Sequence, residues 1–415
     1  MKLSSKYSII IFALFIQYSL FGQNSSSYSR FGIGDINYTF SAVRLGMGQL
    51  GVALEGKNTV DAINPAGWNN LMLTRIDFGF NYSGLFLSSN TSKTYYGKGV
   101  FNGFTFAFPI SHQYGIGAAV GLIPYSNISY KVEQNFIRKS VADYNVIYEG
   151  SGGLSKLFIG SSYRLPFGLN IGASFNYYFG TMKYNSIINF NSGNNNLAEY
   201  KTTYSPFGLG STVGIISPDF SYVFKSKDIT DFRIAFATDI IGNLRTDTIL
   251  TSKSTAGLDT LGLGTVTMKI PLRINAGISL RIRNDYIFTV DYMYQPWKRY
   301  SFNNHFPGDL RNASKFSAGF QYMPQYSPDL SFLEQFSWRA GLSFEQTQYL
   351  VNGIGINQYS ISGGFSLPLN FANSLDVGIQ YSIRGSTQSG LYKENTIKMD
   401  VDISLGELWF IRHRE

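Results

Sequence analysis

Residues 270–281 read IPLRINAGISLR, and this stretch decides the fold because apolar and polar side chains alternate along it without a break. Side chains of a β-strand point to opposite faces in turn, so a strand with this pattern has one apolar and one polar face. The apolar face carries Ile270, Leu272, Ile274, Ala276, Ile278 and Leu280. The polar face carries Pro271, Arg273, Asn275, Gly277, Ser279 and Arg281. The stretch therefore predicts a long strand with one side against an apolar medium.

The same alternation recurs throughout the chain after about residue 71, and we count fourteen such segments. An even number of strands is typical of bacterial membrane barrels. The segments lie near 72–84, 98–110, 113–129, 148–163, 167–183, 201–217, 219–224 merging into 231–244, 268–281, 285–298, 314–323, 336–347, 357–368, 374–385 and 395–410.

A soluble β-sandwich would also alternate, but three features favour a membrane barrel. The segments are long enough for tilted spanning strands, and their apolar faces often end in Tyr, Trp or Phe, as in interfacial girdles. Charged residues make up only 14% of the chain, against roughly 25% in soluble proteins. An open sheet would leave backbone groups unpaired in lipid, so the sheet must close. We predict an all-β, antiparallel transmembrane barrel of about 14 strands in a Gram-negative outer membrane.

The connections give an independent indication of the same architecture. Barrels of this class have short periplasmic turns and long outer loops. Four connections after even strands are very short, at 111–112, 165–166, 283–284 and 370–371, whereas those near 225–230 and 324–335 are longer. The connections after odd strands are long and polar, at 85–97, 130–147, 184–200, 245–267, 299–313, 348–356 and 386–394.

The first residues have the pattern of a secretory signal peptide, which we place at 1–23. Lys2 and Lys6 precede an apolar core at 7–21, and cleavage is expected near Gly22 or Gln23. The alternative is an N-terminal membrane anchor, but the apolar run is shorter than the roughly 20 residues that span a bilayer. Export through this signal agrees with an outer-membrane location, and we predict no transmembrane helix downstream.

Residues 24–70 follow neither strand nor helix periodicity. Two short motifs stand out, Gly46-Met47-Gly48 and Asn64-Pro65-Ala66, and both are typical of tight turns and close backbone approach. The segment could be a loose periplasmic tail or a plug inside the barrel, and its apolar residues favour the plug. Polar residues on the inward faces of the strands would hold the plug or brace the interior. These lumen candidates are Arg75, Asp77, Arg273, Asp291, Arg339 and Asp400.

These motifs and the strand count resemble the FadL-type outer-membrane transporters of hydrophobic compounds, in a form common in Bacteroidetes. The resemblance implies that Asn64-Pro65-Ala66 ends an N-terminal hatch within a fourteen-stranded barrel. It also implies a kink in the third strand that opens a window in the wall. Gly121 and Pro124 are the candidates for this kink, since Pro lacks the N–H that a ladder needs. The alternative is a bulge without a role in transport.

The sequence offers no pattern for catalysis, for a metal or for another cofactor. Cysteine is absent, and the three histidines, His112, His305 and His413, are far apart with no metal-ligand spacing. We therefore predict that the protein is not an enzyme. The net charge of +8 is scattered rather than clustered, which suits lipopolysaccharide phosphates better than nucleic acid.

The expected function is passive uptake of small hydrophobic molecules, fatty-acid or hydrocarbon-like, through a plugged barrel with a lateral opening. Two alternatives stay open at this point. One is a non-transporting partner or scaffold barrel of a secretion machinery, like PorV, and the other is a general porin. The expected partners are membrane lipid, lipopolysaccharide, a hydrophobic ligand and a further outer-membrane protein.

Overall fold

The structure is a computed structural model that describes residues 26–407 except 57, 61, 137–143, 191–196, 255–256, 325–330 and 371. The predicted signal peptide and His413 lie outside the described residues. Within the described part no helix is long and apolar enough to cross a membrane. The short helices are α1 (Ala42–Gly46) and the 3-10 helices Ser27–Arg30, Pro65–Asn70, Ser221–Phe224, Trp297–Arg299, Phe332–Gln335 and Gln388–Gly390.

The described residues form one sheet in which every strand pairs antiparallel with its neighbours. The strands are β1 (Asp35–Ile36), β2 (Thr74–Ser88), β3 (Lys93–Ser111), β4 (Ile116–Pro124), β5 (Ser126–Phe136), β6 (Tyr144–Arg164), β7 (Asn170–Phe190), β8 (Leu197–Ile216), β9 (Ile229–Ile241), β10 (Asn243–Ser254), β11 (Gly257–Lys269), β12 (Arg273–Ile282), β13 (Tyr286–Gln295), β14 (Ser301–Phe302), β15 (Ala313–Tyr322), β16 (Ser337–Val351), β17 (Ile354–Pro368), β18 (Ser374–Arg384) and β19 (Lys393–Glu407).

The sheet closes on itself because β19 pairs with β2, from Glu407 opposite Thr74 to Lys393 opposite Ser88. Three strands of the wall are interrupted, and each consists of two successive elements: β4 with β5, β9 with β10, and β11 with β12. The short strands β1 and β14 are additions to the wall. The wall therefore has fourteen strands, which confirms the predicted barrel.

The two faces of the wall follow the alternation in the sequence. On β12, Ile274 and Ile278 are exposed, whereas Arg273, Asn275 and Ser279 are buried. The same division holds on β19, where Met399 is exposed and Asp400 is buried. The apolar face thus points outward, as in a barrel whose outer surface contacts lipid, and the strands form a closed ring. This arrangement confirms the predicted location in the outer membrane.

The connections after β3, β6, β12 and β17 lie together at one end of the barrel, which we take as the periplasmic end, whereas the two-residue turn between β16 and β17 lies at the other end. The turn between β12 and β13 uses Arg283 and Asn284 in left-handed conformation, with φ of 50° and 64°. Two successive residues with positive φ match the twist of an antiparallel hairpin. The N-terminal segment enters β2 at this same end, since β2 begins at Thr74.

Several sequence-based boundaries were wrong: strands extend into the predicted loops at 85–97, 130–147, 184–200 and 348–356, and two further segments have a different structure. The predicted loop at 245–267 is a hairpin made by β10 and β11, and the predicted strand start at 219–224 is a 3-10 helix, so that β9 begins only at Ile229. The hairpin was missed because β11 is exposed on both faces along most of its length. A strand in water on both sides needs no alternation of apolar and polar residues, so this criterion does not detect it.

Candidate functional site

Residues 26–73, here called the N-terminal segment, pack against the inner face of the wall. Its apolar side chains are buried, Met47 and Val52 completely, and its backbone is bonded to inward-facing side chains of the strands. The site is thus the lumen of the barrel together with this segment.

Gly46-Met47-Gly48 lies where α1 ends against β15 to β18. The Gly48 N–H donates to Ser362 Oγ at 3.2 Å, and Ser362 Oγ donates to the Gly46 carbonyl at 3.3 Å. Gly48 has φ of +85°, and a Cβ there would come within 2.9 Å of the Leu342 carbonyl. Glycine is therefore required by both conformation and space.

The facing wall is also built of glycine. A Cβ added to inward-facing Gly341 would overlap the Gly48 backbone, and one on Gly319 would come 2.6 Å from the Met47 carbonyl. Gly378 on β18 leaves room for the Ala42 carbonyl in the same way. These three wall glycines form a docking surface on which the backbone of the segment lies directly.

Asn64-Pro65-Ala66 ties the segment to itself and to the opposite wall. Asn64 is completely buried and caps the helix Pro65–Asn70, because its Oδ1 accepts the Ala66 N–H at 3.1 Å. Its Nδ2 donates to the Val52 carbonyl at 3.0 Å and to the Ile215 carbonyl of β8 at 3.4 Å. Pro65 suits the first position of the helix, where no N–H is needed.

Three of the six predicted lumen residues bind the N-terminal segment directly. Asp291 accepts the Gly51 and Val52 N–H groups at 2.9 and 2.7 Å. Asp77 accepts the Val60 N–H at 3.2 Å. The guanidinium of Arg75 donates to Asn58 Oδ1 at 2.6 Å and to the Ala372 carbonyl of a periplasmic turn.

The other three predicted residues mainly brace the wall. Arg273 donates to the Tyr125 hydroxyl at 3.0 Å and lies 5.5 Å from the ring centre of Tyr38 in the segment. Arg339 donates to Ser366 Oγ at 2.7 Å, and Asp400 accepts from Asn81 Nδ2 at 2.5 Å. All six side chains are buried.

An ion cluster near the outer end of the lumen is not among the six residues predicted from the sequence. Arg384 on β18 contacts Asp35 of the segment and Glu394 of β19, both at 2.5 Å. Glu394 also accepts the Ser27 N–H at 2.9 Å, so the cluster fixes the start of the described chain. Arg384 was recognisable from its place on a polar face, but Asp35 lies in a segment without periodicity.

A second group that was missed surrounds Lys315, which is completely buried. Its ammonium lies 3.3 Å from Glu345 Oε2, bonds Gln49 of the segment, and lies 4.5 Å from the ring centre of Tyr38. The Tyr38 hydroxyl donates to Glu345 at 2.7 Å. A buried charge is tolerated only when it is paired and hydrogen-bonded, so this group also requires the segment to be in place.

The third strand of the wall is broken beside Pro124. Pro124 is the last residue of β4, and β5 begins at Ser126. The pairing between β4 and β3 ends earlier, at Leu122 opposite Phe104. Gly121 lies within the regular part of β4, where its lack of a side chain makes room for the Phe158 ring.

Beyond this break the wall has a gap. The described part of β5 pairs with β6 on one side and, through Ser126 and Asn127 only, with β1 on the other. The outer half of β3, from Lys93 to Gly103, pairs with β2 on one side and has no strand on its other side among the described residues. Within the described residues β3 and β5 are therefore not paired with each other across this gap, and β1 lies beside β5 there.

A cavity of about 230 Å³ lies behind this gap. It is lined by Lys98, Val100 and Phe101 of β3, by Pro124 and Ser126 of the broken strand, by Tyr38 of the segment and by Lys398 and Asp400 of β19. Next to it is a large cluster of buried apolar and aromatic side chains, here called the outer apolar cluster. It comprises Ile33, Ile36, Tyr125, Ile128, Tyr130, Leu154, Tyr178, Met182, Leu244, Met268, Ile270, Trp297, Tyr300, Leu310 and Ala313.

Comparison with solved structures shows the same fold. The CymD monoaromatic hydrocarbon channel matches with a TM-score of 0.57 and 15% identity, over 91% of this chain and 99% of its own. The Ralstonia pickettii toluene transporter TbuX matches with 0.60 and 14%, over 89% and 99%. A Pseudomonas aeruginosa FadL homologue matches with 0.52 and 11%, over 82% and 91%. The predicted likeness to FadL-type barrels is therefore confirmed for the fold.

Sequence comparison identifies the family. No curated protein matches the chain significantly. The family model described as BamG matches residues 4–414, which is nearly the whole chain. The chain therefore belongs to the BamG family.

Proposed function

We propose that the barrel takes up small hydrophobic molecules passively and releases them through the gap between β3 and β5. The observation that carries this proposal is the unpaired outer half of β3 with the 230 Å³ cavity behind it. An opening in a lipid-facing wall costs unpaired backbone groups, so its presence calls for a purpose. The structural neighbours named as hydrocarbon channels and toluene transporters support the same reading.

The route begins at the outer apolar cluster and ends in the membrane. Ile36 belongs to this cluster and also lines the cavity, so the two are continuous. The N-terminal segment acts as a plug, because its bonds to Asp291, Asp77 and Arg75 close the way to the periplasm. A ligand that reaches the cavity then leaves sideways, past Val100 and Phe101.

The cavity offers two lysines to an acidic head group, beside the carboxylates of Asp35 and Asp400 that also line it. Lys398 is opposite Ser83 on β2, and Ser83 is opposite Lys98 on β3, so both ammonium groups lie in one row across the lumen face. Within the described residues neither lysine makes an ion pair. The volume is below the roughly 300 Å³ of a typical drug-sized pocket, so the cavity suits a short or slender molecule.

The proposal is tested by filling the cavity. Val100 is partly exposed and lines it, so Val100→Trp places a large ring in the gap without disturbing the wall. Uptake of a labelled medium-chain fatty acid by cells that express the variant should fall at least tenfold. Ile397→Trp, at an outward position of similar exposure on β19, is the matched control and should leave uptake unchanged. Equal uptake by both variants would remove the lateral route.

The partner or scaffold function remains a second candidate, favoured by how completely the lumen is filled. Two further cavities within the lumen measure only about 60 and 20 Å³. The same filling argues against a general porin. If the barrel is a scaffold, the Val100→Trp variant should still co-purify with its outer-membrane partners, and the unmodified protein should bind no labelled fatty acid. If the barrel is a transporter, the same variant should lose uptake of the fatty acid.

A further inference from the structure

The strands β10 and β11 form a hairpin at the outer end of the wall, where β10 also pairs with β8. The residues of β11 from Gly257 to Thr265 are exposed on both faces. Among them are three leucines, Leu258, Leu261 and Leu263, which are 70%, 54% and 76% exposed. Since the hairpin buries little of its own surface, these leucines are not explained by packing within the chain.

One edge of β11 is also unpaired. Its other edge pairs with β10 from Gly257 to Lys269, with a bulge at Leu261. On the free edge β14 covers Met268 and Lys269, and the Asn303 N–H donates to the Thr267 carbonyl at 2.8 Å. No strand in the described part of the chain continues this ladder toward Gly257.

Strand geometry shows which backbone groups face the free edge. The N–H and C=O of one residue point to the same edge, and this edge alternates along the strand. Since the Thr267 carbonyl points to the free edge, the groups of Thr265 and Leu263 point there as well. They extend the ladder at the position where β14 stops.

Apart from the bulge at Leu261, this edge lacks the features by which proteins protect exposed strands. Such edges usually carry Lys, Pro or a covering loop. Here Asp259 is the sole charge between residues 257 and 267, and proline is absent from that stretch. Gly262 and Gly264 have open space beside them, so a second backbone can approach closely.

We propose that the free edge of β11 binds an extended strand of a partner protein at the cell surface. Regularly spaced donors and acceptors match another polypeptide strand and neither lipid nor a small molecule. The exposed leucines beside them supply apolar contacts for the side chains of that strand. This binding is independent of the uptake proposed above.

A second copy of the chain fits this edge poorly. Two copies in one membrane have the same orientation, so both β11 strands run from the outer tip toward the bilayer. Antiparallel pairing of two identical edges would require one copy to be inverted. Two upright copies could pair at this edge only as parallel strands, which is the less stable arrangement, so a different polypeptide fits the edge better.

The test uses a photo-crosslinking amino acid at position 263 in the full-length protein, in the native outer membrane. A discrete crosslinked adduct is expected, with the attached peptide identified by mass spectrometry. Thr265→Pro removes one N–H from the free edge and leaves the ladder to β10 intact, so it should reduce the adduct at least tenfold. Thr265→Val keeps this N–H but loses the same side-chain bond to Asp247, and it should retain the adduct.

Accessibility of a single cysteine gives a second readout, because the chain has none of its own. Leu263→Cys should react with a membrane-impermeant maleimide several-fold more slowly in native membranes than after purification. Lys253→Cys, on the other strand of the hairpin, should react equally in both. Full labelling at 263 without an adduct, an adduct with a second copy of this chain, or equal adducts from the Pro and Val variants would each overturn the proposal.

Discussion

Removal of the Asp291 carboxylate is the sharpest test of how the N-terminal segment is held. Asp291 is 1% exposed and accepts two backbone N–H groups of the segment, from Gly51 at 2.9 Å and Val52 at 2.7 Å. In the Asp291→Ala variant both N–H groups lose their acceptor, while the barrel keeps its strand pairing. We therefore expect the segment to undock more often.

The size of the effect follows from the two bonds. A hydrogen bond to a charged group contributes about 1.5–3 kcal/mol, so both together contribute about 3–6 kcal/mol. The variant also no longer buries a charge, which offsets part of this loss. We therefore expect the free energy required to undock the segment to fall by about 3 kcal/mol. The undocked fraction should then rise about 100-fold. Asp291→Asn keeps an oxygen acceptor but not the charge, and it should show roughly half of the free-energy change.

Single-channel recording in planar bilayers measures this fraction as the frequency of open events. Asp400→Ala is the matched control, because Asp400 is equally buried in the lumen but bonds Asn81 of the wall and not the segment. The control should stay near the frequency of the unmodified protein. If Asp291→Ala opened no more often than Asp400→Ala, these bonds would not be what keeps the lumen closed.

Three further outcomes are expected. Gly341→Val should destabilise the docked segment by about 1–3 kcal/mol, because the new side chain overlaps the backbone of the segment. Gly363→Val is the control and should have little effect, since a Cβ at that position meets only an ordinary contact. The shift from folded to unfolded gel migration on heating in detergent measures both variants. Asn64→Ala should cost about 1–2 kcal/mol by the same assay, since it loses a helix cap and two further bonds. Slight burial raises the pKa of Asp219. Hydrogen bonds from the backbone N–H groups of Phe232 and Ser221 outweigh this effect, so the pKa is held below its ordinary value. The Phe232 amide hydrogen should therefore be protected from exchange at neutral pH and lose this protection as the pH falls through the lowered pKa of Asp219. Amide exchange at Phe232 between pH 7 and 3 measures the loss. The Asp219→Asn variant should no longer show this pH dependence.

The barrel was predictable because lipid imposes a regular pattern on it. Every spanning strand must present an apolar face outward, so the alternation at 270–281 was sufficient to assign the orientation of Arg273 and Ile274 correctly. Where a strand leaves the membrane this constraint ends. The part of β11 from Gly257 to Thr265 is wet on both faces, and its sequence accordingly carries no alternation.

The contacts of the N-terminal segment were predictable only in part. The sequence places the wall glycines Gly319, Gly341 and Gly378 on polar faces, where they leave positions without a side chain. Such a position does not show which chain segment packs against it. The motif around Asn64 was recognised, whereas its partners lie 12 and 151 residues away, at Val52 and Ile215. Such pairings depend on closure of the barrel, which no local pattern contains.

The distribution of bonds along the N-terminal segment favours a lateral exit over a path past the plug. A path to the periplasm must displace the part held by Asn64, Asp291 and the docking glycines, where directional bonds and close backbone contacts add together. A lateral exit requires that β5 move away from β1, to which it is joined at Ser126 and Asn127 and through the Asn37 N–H bond to the Tyr125 carbonyl, while Asp35 stays bonded to Arg384. The path to the periplasm therefore breaks most of the hydrogen bonds and close contacts that hold the segment, whereas the lateral exit breaks only the short pairing between β1 and β5. On the proposed lateral route the N-terminal segment stays docked while a ligand crosses the wall, so conductance and uptake are expected to be separable.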